Sequence, residues 1–203
     1  MRRIFRQTLL LTALAAACGS ALATDGVSPR IREIADQRCG SCHGPAGQGE
    51  NSRYPKLSGQ NPEFLVQQMF NFKAGKRKSV IMSPQLADLT GGDATQLAQY
   101  FASQRLVPSL TTDKALIEAG RILFLQGNPA SKVTACAACH GPNARGGQML
   151  PRLAGQHAEY LELQLRSYIA RSRATDQALM HSVASNLSDP EIRAVSYFLS
   201  GLD

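Results

Sequence analysis

Two pentapeptides, Cys39-Gly-Ser-Cys42-His43 and Cys136-Ala-Ala-Cys139-His140, constrain this chain more than any other feature. Of five cysteines, Cys18 lies near the start and the other four fill these motifs, so none remains for a structural disulfide elsewhere. An oxidised Cys-x-x-Cys pair or a four-cysteine zinc site would use the same spacing. A thioredoxin-type motif does not need His after its second Cys, however, and a four-thiolate zinc site leaves both histidines idle. Heme attachment uses every residue: two thiols form thioethers to the vinyl groups, and the adjacent His reaches the iron. The motifs predict two covalently bound heme c groups, one on Cys39 and Cys42 and one on Cys136 and Cys139, with His43 and His140 as axial ligands.

The sequence around the motifs is written twice. Cys39 and Cys136 lie 97 residues apart. Nearly the same offset aligns Tyr54-Pro55-Lys56-Leu57-Ser58-Gly59-Gln60 with Leu150-Pro151-Arg152-Leu153-Ala154-Gly155-Gln156. It also aligns Glu63-Phe64-Leu65 with Glu159-Tyr160-Leu161 and Tyr100-Phe101 with Tyr197-Phe198. Such self-similarity predicts two copies of one fold. Helical periodicity stops at Leu106, and Pro108 intervenes before Asp113 can cap a new helix. The expected division is a first domain over 24–106, a linker over 107–112 and a second domain over 113–203.

Each copy reads as all-α. A first helix leads toward the heme motif, from Pro29 to about Arg38 and from Asp113 to about Gln126, with Ile31, Ile34 and Ala35, or Leu116, Ala119, Gly120 and Leu123, on one face. A second follows each Gly-Gln pair, where Leu65, Met69 and Phe72 match Leu161, Leu165 and Tyr168. A last helix starts at Thr90 or Ser188; Ser188-Asp189-Pro190-Glu191 has capping-box spacing, and Thr90-Gly91-Gly92-Asp93 is a looser version. No convincing alternating strand occurs. A domain of about 90 residues has a modest core, so each heme is expected to be a large part of what its half folds around.

The repeat also nominates the second axial ligand, since a distal ligand should recur at matching places. Among Met69, Met82, Met149 and Met180, only Met82 and Met180 do so, each seven residues before the leucine that opens the final helix. Met69 faces Leu165 and reads as core, while Met149 is too near His140 in sequence to stand opposite it. His157 and His181 have Asn61 and Ser83 as counterparts, so ligation by either would break the pairing. Pro55 and Pro151 could set a carbonyl against the ring N–H of the axial histidine, or simply turn the chain before the next helix. A His/Met pair raises the potential and leaves no open iron position, which favours electron transfer over catalysis.

Residues Arg2, Arg3 and Arg6 precede an apolar run from Leu9 to Ala17, and Ala21-Leu22-Ala23 offers small residues to a peptidase. This pattern predicts a signal peptide over residues 1–23. Arg2-Arg3-x-Phe5 faintly resembles a twin-arginine signal and Leu14 to Cys18 a lipoprotein box; cleavage after Ala23 is the preferred reading. No other stretch approaches the roughly 20 apolar residues of a spanning helix. Without residues 1–23 the chain keeps 19 basic against 15 acidic residues, a net +4. Four heme propionates would bring the holoprotein near neutrality, so the pI of 9.4 does not argue for nucleic acid. The cluster Lys73, Lys76, Arg77 and Lys78 reads most simply as a solvated helix end.

The paired Cys-x-x-Cys-His-Gly-Pro segments, the paired Pro-Lys/Arg-Leu-Ser/Ala-Gly-Gln segments, and the Met82 and Met180 regions ahead of Tyr-Phe-containing final helices together carry a resemblance. The chain resembles the diheme cytochrome c4 family over nearly its whole mature length. That resemblance implies two class I cytochrome c domains packed with their hemes close together. It further implies a periplasmic shuttle, often loosely membrane-associated, between a quinol-oxidising complex and a terminal oxidase or similar acceptor. A related two-domain cytochrome serves flavocytochrome sulfide dehydrogenases as the electron-accepting subunit. A diheme peroxidase, in contrast, needs one open iron, which two matched methionines oppose.

Overall fold

The computed structural model describes residues 27–109, 111–175 and 178–203; the signal-peptide reading lies outside them. Among the described residues the regular structure is helical, with pairing between extended segments limited to isolated bridges. The chain forms two tandem helical lobes with the same order of elements.

In the first lobe, Ser28 caps α1 (Pro29–Glu33), and the chain continues as a π-helical turn over Ile34–Cys39. The wider turn lets Gly40 N–H reach back to Ala35 O and delivers Cys39 directly into α2 (Gly40–His43). Such a π segment is a common device at functional sites. The segment α3 (Pro62–Lys73) carries Leu65 inward, and α4 (Met82–Leu86) is a single short turn. α5 (Gly91–Ser103) closes the lobe, buried along Ala94, Leu97, Ala98 and Phe101.

In the second lobe, α6 (Lys114–Gln126) stops at Gly127, where φ is 73°. The hairpin-like loop that follows, bridged between Asn128 and Val133, leads to α7 (Ala137–His140). α8 (Ala158–Ile169), α9 (Leu179–Ala184) and α10 (Asp189–Ser200) then repeat the order of α3, α4 and α5. The two apolar cores do not merge. One gathers Ile31, Leu65, Leu97 and Phe101, and the other Leu123, Phe124, Leu161 and Phe198.

The looser capping box at Thr90 closes fully. Asp93 N–H donates to Thr90 Oγ1 at 3.1 Å, and Asp93 Oδ2 accepts from Thr90 N–H at 2.8 Å. Those bonds from Thr90, with the Arg30 guanidinium beside them, hold the Asp93 carboxyl below its ordinary pKa. A depressed folded-state pKa contributes stability above the unfolded value and loses it as pH falls through the folded one. Asp93→Asn is therefore expected to lower the thermal midpoint of the first lobe at neutral pH. The difference from wild type should vanish in acid, as paired melting curves across pH would show.

The lobes meet through equivalent residues of the two copies. Gln60 reaches the Arg152 backbone and Gln156 reaches the Lys56 backbone. Asn61 Nδ2 donates to Leu150 O, and His157 faces Gly49 O. Arg77 and Arg173 form an antiparallel bridge. The connecting segment is tied down, with Ser109 N–H on Ser200 O at 2.9 Å and the buried Lys56 ammonium on Val107 O at 2.6 Å.

Candidate heme sites in a shared cavity

The short helices α2 and α7 put each Cys-x-x-Cys-His motif on one wall of a cavity of about 1110 Å³ that runs between the lobes. All eight residues nominated from sequence line it: Cys39, Cys42, His43 and Met82 from one lobe, and Cys136, Cys139, His140 and Met180 from the other. The volume exceeds the roughly 300–1,000 Å³ of a site for one drug-sized ligand. Apolar side chains such as Leu65, Phe72, Leu161 and Leu199 complete its walls.

His43 and His140 are each only 6% exposed. His43 Nδ1 lies 2.8 Å from Pro55 O, and His140 Nδ1 lies 3.4 Å from Pro151 O. A carbonyl only accepts, so the proton sits on Nδ1 and leaves Nε2 bare for a metal. Burial pulls both imidazoles below their ordinary pKa, with the proline carbonyls opposing, so both rings are neutral near pH 7. Of the two readings of Pro55 and Pro151, the carbonyl partner is the observed one.

The thiols also fit attachment better than redox exchange. Burial pushes Cys39 and Cys136 up to about 11, whereas a reactive Cys-x-x-Cys thiol is depressed. Among the described residues no group of three or more His, Cys, Asp or Glu side chains is arranged to hold a metal ion. Two macrocycles with thioether links and neutral histidines therefore suit this donor set.

Met69 and Met149 also line the cavity, so lining alone does not choose among the methionines. Met69 packs against the first core and Leu165 against the second, while Met149 is 47% exposed. His181 points along its own lobe, with Nδ1 on Tyr168 O at 3.0 Å and Arg171 Nε donating to its Nε2 at 3.2 Å. His157 belongs to the lobe interface.

One member of the basic cluster departs from the expected solvated helix end: Lys73, Lys76 and Lys78 are exposed, but Arg77 is not. Lys73 Nζ donates to Leu89 O, and Arg77 is drawn into the interface. Its guanidinium donates to Gln68 Oε1 at 2.9 Å, to Tyr160 Oη at 2.9 Å and to Gln164 Oε1 at 3.0 Å. Arg173 mirrors it, donating to Gln164 Oε1 at 2.6 Å and Gln68 Oε1 at 3.2 Å. Arg77 also stacks on Phe72 and Arg173 on Tyr168, with the guanidinium carbon 4.6 and 4.8 Å from the ring centres. Burial raises the Tyr160 phenol, but the two cations outweigh it and its pKa falls below the ordinary value. In the sequence Gln60 and Gln156 were legible only as members of matched segments and Arg77 only as part of a basic cluster, while Gln68, Gln164 and Arg173 were missed.

Comparison with known proteins places this geometry. The Cytochrome c family model matches residues 29–105 and 117–203, one copy per lobe. The chain is 38% identical over 192 residues to cytochrome c4 of Thiocapsa roseopersicina, covering 88% of this chain and 99% of that one. The chain belongs to the cytochrome c4 family. Its fold superposes on reduced recombinant cytochrome c4 from Pseudomonas stutzeri with a TM-score of 0.81 and 33% identity, over 87% of this chain and 100% of that one. A thiosulfate dehydrogenase electron acceptor of Thiomonas intermedia is also similar, 36% identical over 80% of this chain and 77% of its own. As a cytochrome c4, the protein is a diheme electron-transfer cytochrome with two covalently bound heme c groups. Bound heme supplies iron that cycles between ferrous and ferric states, one electron at a time.

Proposed function

We propose that this cytochrome c4 shuttles electrons in the periplasm from a quinol-oxidising complex toward a terminal oxidase or similar acceptor, without an enzymatic activity of its own. In this reading Cys39 and Cys42, and Cys136 and Cys139, form the thioethers. His43 with Met82 and His140 with Met180 are the axial pairs. The domains are 24–106 and 113–203 joined by 107–112, and residues 1–23 are removed on export. The observation that supports it best is that both repeats bring the same four residues, two Cys, one His and one Met, to one cavity, with the histidine Nδ1 occupied in each. Two thioether sulfurs on two irons leave no position for peroxide or another substrate. Among the described residues no helix is long and apolar enough to cross a membrane, and any membrane contact in this reading is peripheral.

The similarity to a thiosulfate dehydrogenase electron acceptor favours a second reading, in which a dehydrogenase of the same compartment is the donor. Following reduction of the purified cytochrome by membranes supplied with quinol, and by periplasmic fractions supplied with reduced sulfur compounds, separates the two. Rapid quinol-dependent reduction supports the shuttle. Reduction confined to a copurifying dehydrogenase and its substrate supports the second reading, including a flavoprotein partner that oxidises sulfide. Peroxide turnover by the as-isolated or half-reduced protein would contradict both.

The His43 to Pro55 hydrogen bond is the shorter one, so His43 carries more imidazolate character and favours ferric iron. The heme of the first lobe is therefore expected to have the lower potential. A redox titration assigned by lobe checks this, and equal or reversed potentials would contradict it.

A further inference from the structure

The peptide groups Pro55–Lys56 and Pro151–Arg152 are each hydrogen-bonded at both ends. On the first, the carbonyl accepts from His43 Nδ1 at 2.8 Å, and the N–H of the same amide donates to Gln156 Oε1 at 2.9 Å. On the second, the carbonyl faces His140 Nδ1 at 3.4 Å, and the N–H donates to Gln60 Oε1 at 2.7 Å. In both cases the glutamine comes from the opposite lobe.

The glutamines have no freedom to turn away. Gln156 Nε2 donates to Lys56 O at 2.9 Å, and Gln60 Nε2 donates to Arg152 O at 2.8 Å. Each side-chain oxygen also accepts from the next N–H of its own lobe, Asn61 at 2.9 Å and His157 at 3.0 Å. Gln60 is 7% exposed and Gln156 5%. Partner types fix the amide orientation, since backbone N–H must meet Oε1 and backbone C=O must meet Nε2.

Hydrogen bonds in series polarise one another. An acceptor on the N–H end makes the amide carbonyl a stronger acceptor, which draws the histidine Nδ1 proton and gives the ring more imidazolate character. A more basic ring favours ferric iron and lowers the potential. We infer that Gln156 and Gln60 are positioning residues that act crosswise: Gln156 lowers the potential of the first lobe's heme, and Gln60 that of the second. The inference rests on His43 and His140 being the axial ligands. It makes each potential depend on the lobe interface being closed.

The test uses the reduced and oxidised holoprotein and its Gln156→Leu and Gln60→Leu variants, read by heme-resolved redox titration and by NMR of the axial histidine Nδ1–H. Gln156→Leu should raise the first lobe's potential, changing that heme's reduction equilibrium by about threefold to tenfold, up to about 59 mV for one electron. The His43 Nδ1–H resonance should move upfield while that of His140 stays. Gln60→Leu should give the converse. Gln156→Glu keeps and strengthens the acceptor, so it should move His43 Nδ1–H downfield even where a leucine loosens the interface. Equal movement of both histidines, movement only in the variant's own lobe, or none overturns the crosswise tuning. Absence of histidine-ligated iron signals in the wild type would overturn the ligand reading itself.

Discussion

Replacing Met82 by alanine should lower the potential of one heme only, and Met180→Ala should lower that of the other. Each methionine lies at the cavity wall on a short turn, α4 or α9, whose backbone is held independently of the sulfur. Met82 N–H donates to Ser79 Oγ at 3.0 Å, and the neighbouring Leu86 is buried in the first core. Truncation would therefore remove the proposed ligand without removing the turn. A thioether stabilises ferrous iron, and axial ligands set heme potentials over about 0.8 V, so a loss on the order of 100 mV or more is expected. Both hemes should remain covalently attached, as mass spectrometry would verify. Potentials unchanged in either variant would remove that methionine from the ligand set.

Gly120→Ala should strongly destabilise the second lobe. α6 and α10 cross so closely there that a Cβ on Gly120 would sit 2.1 Å from Ala194 O and 2.7 Å from Phe198 Cβ. The obstacle is backbone, which cannot swing aside as a side-chain tip does. Alanine favours a helix over glycine by about 1 kcal/mol. Overpacking costs roughly 1–3 kcal/mol, occasionally more, and here it forces the helices apart. A shift of about 4–8 °C per kcal/mol for a domain this small makes a fall of roughly 10 °C in the second lobe's thermal midpoint the expected result. The first lobe, with its separate core, should melt as before. An unchanged or higher midpoint would mean that the crossing is not the tight contact described.

The parts legible in sequence are those the repeat carries within one copy. Met82 and Met180 could be separated from Met69 and Met149 because only they recur at matching places, whereas all four line the cavity. Pro55 and Pro151 were recognisable as possible carbonyl partners because heme ligation asks for one. The helices followed from apolar spacing, and Asp93 shows that a carboxylate one methylene shorter than Glu still closes a capping box. Contacts between copies were not legible in the same way. A repeat says that Gln60 is equivalent to Gln156; it does not say that each faces the other's neighbour. Arg77 sat in a run of lysines that had every mark of a solvated helix end, and its partners Gln164 and Tyr160 lie more than 80 residues away. The π-helical turn before Cys39 was invisible for another reason: its apolar pattern differs little from that of an α-helix over six residues.

The central claim is that two closed heme centres, each held between a histidine and a methionine, face one cavity. Proton NMR of the reduced holoprotein tests it most directly, because a methionine bound above a heme has its methyl resonance driven far upfield by the ring current. Two such methyl signals are predicted, one lost in Met82→Ala and the other in Met180→Ala. A single upfield methyl, or one that survives the loss of its assigned methionine, would contradict the account.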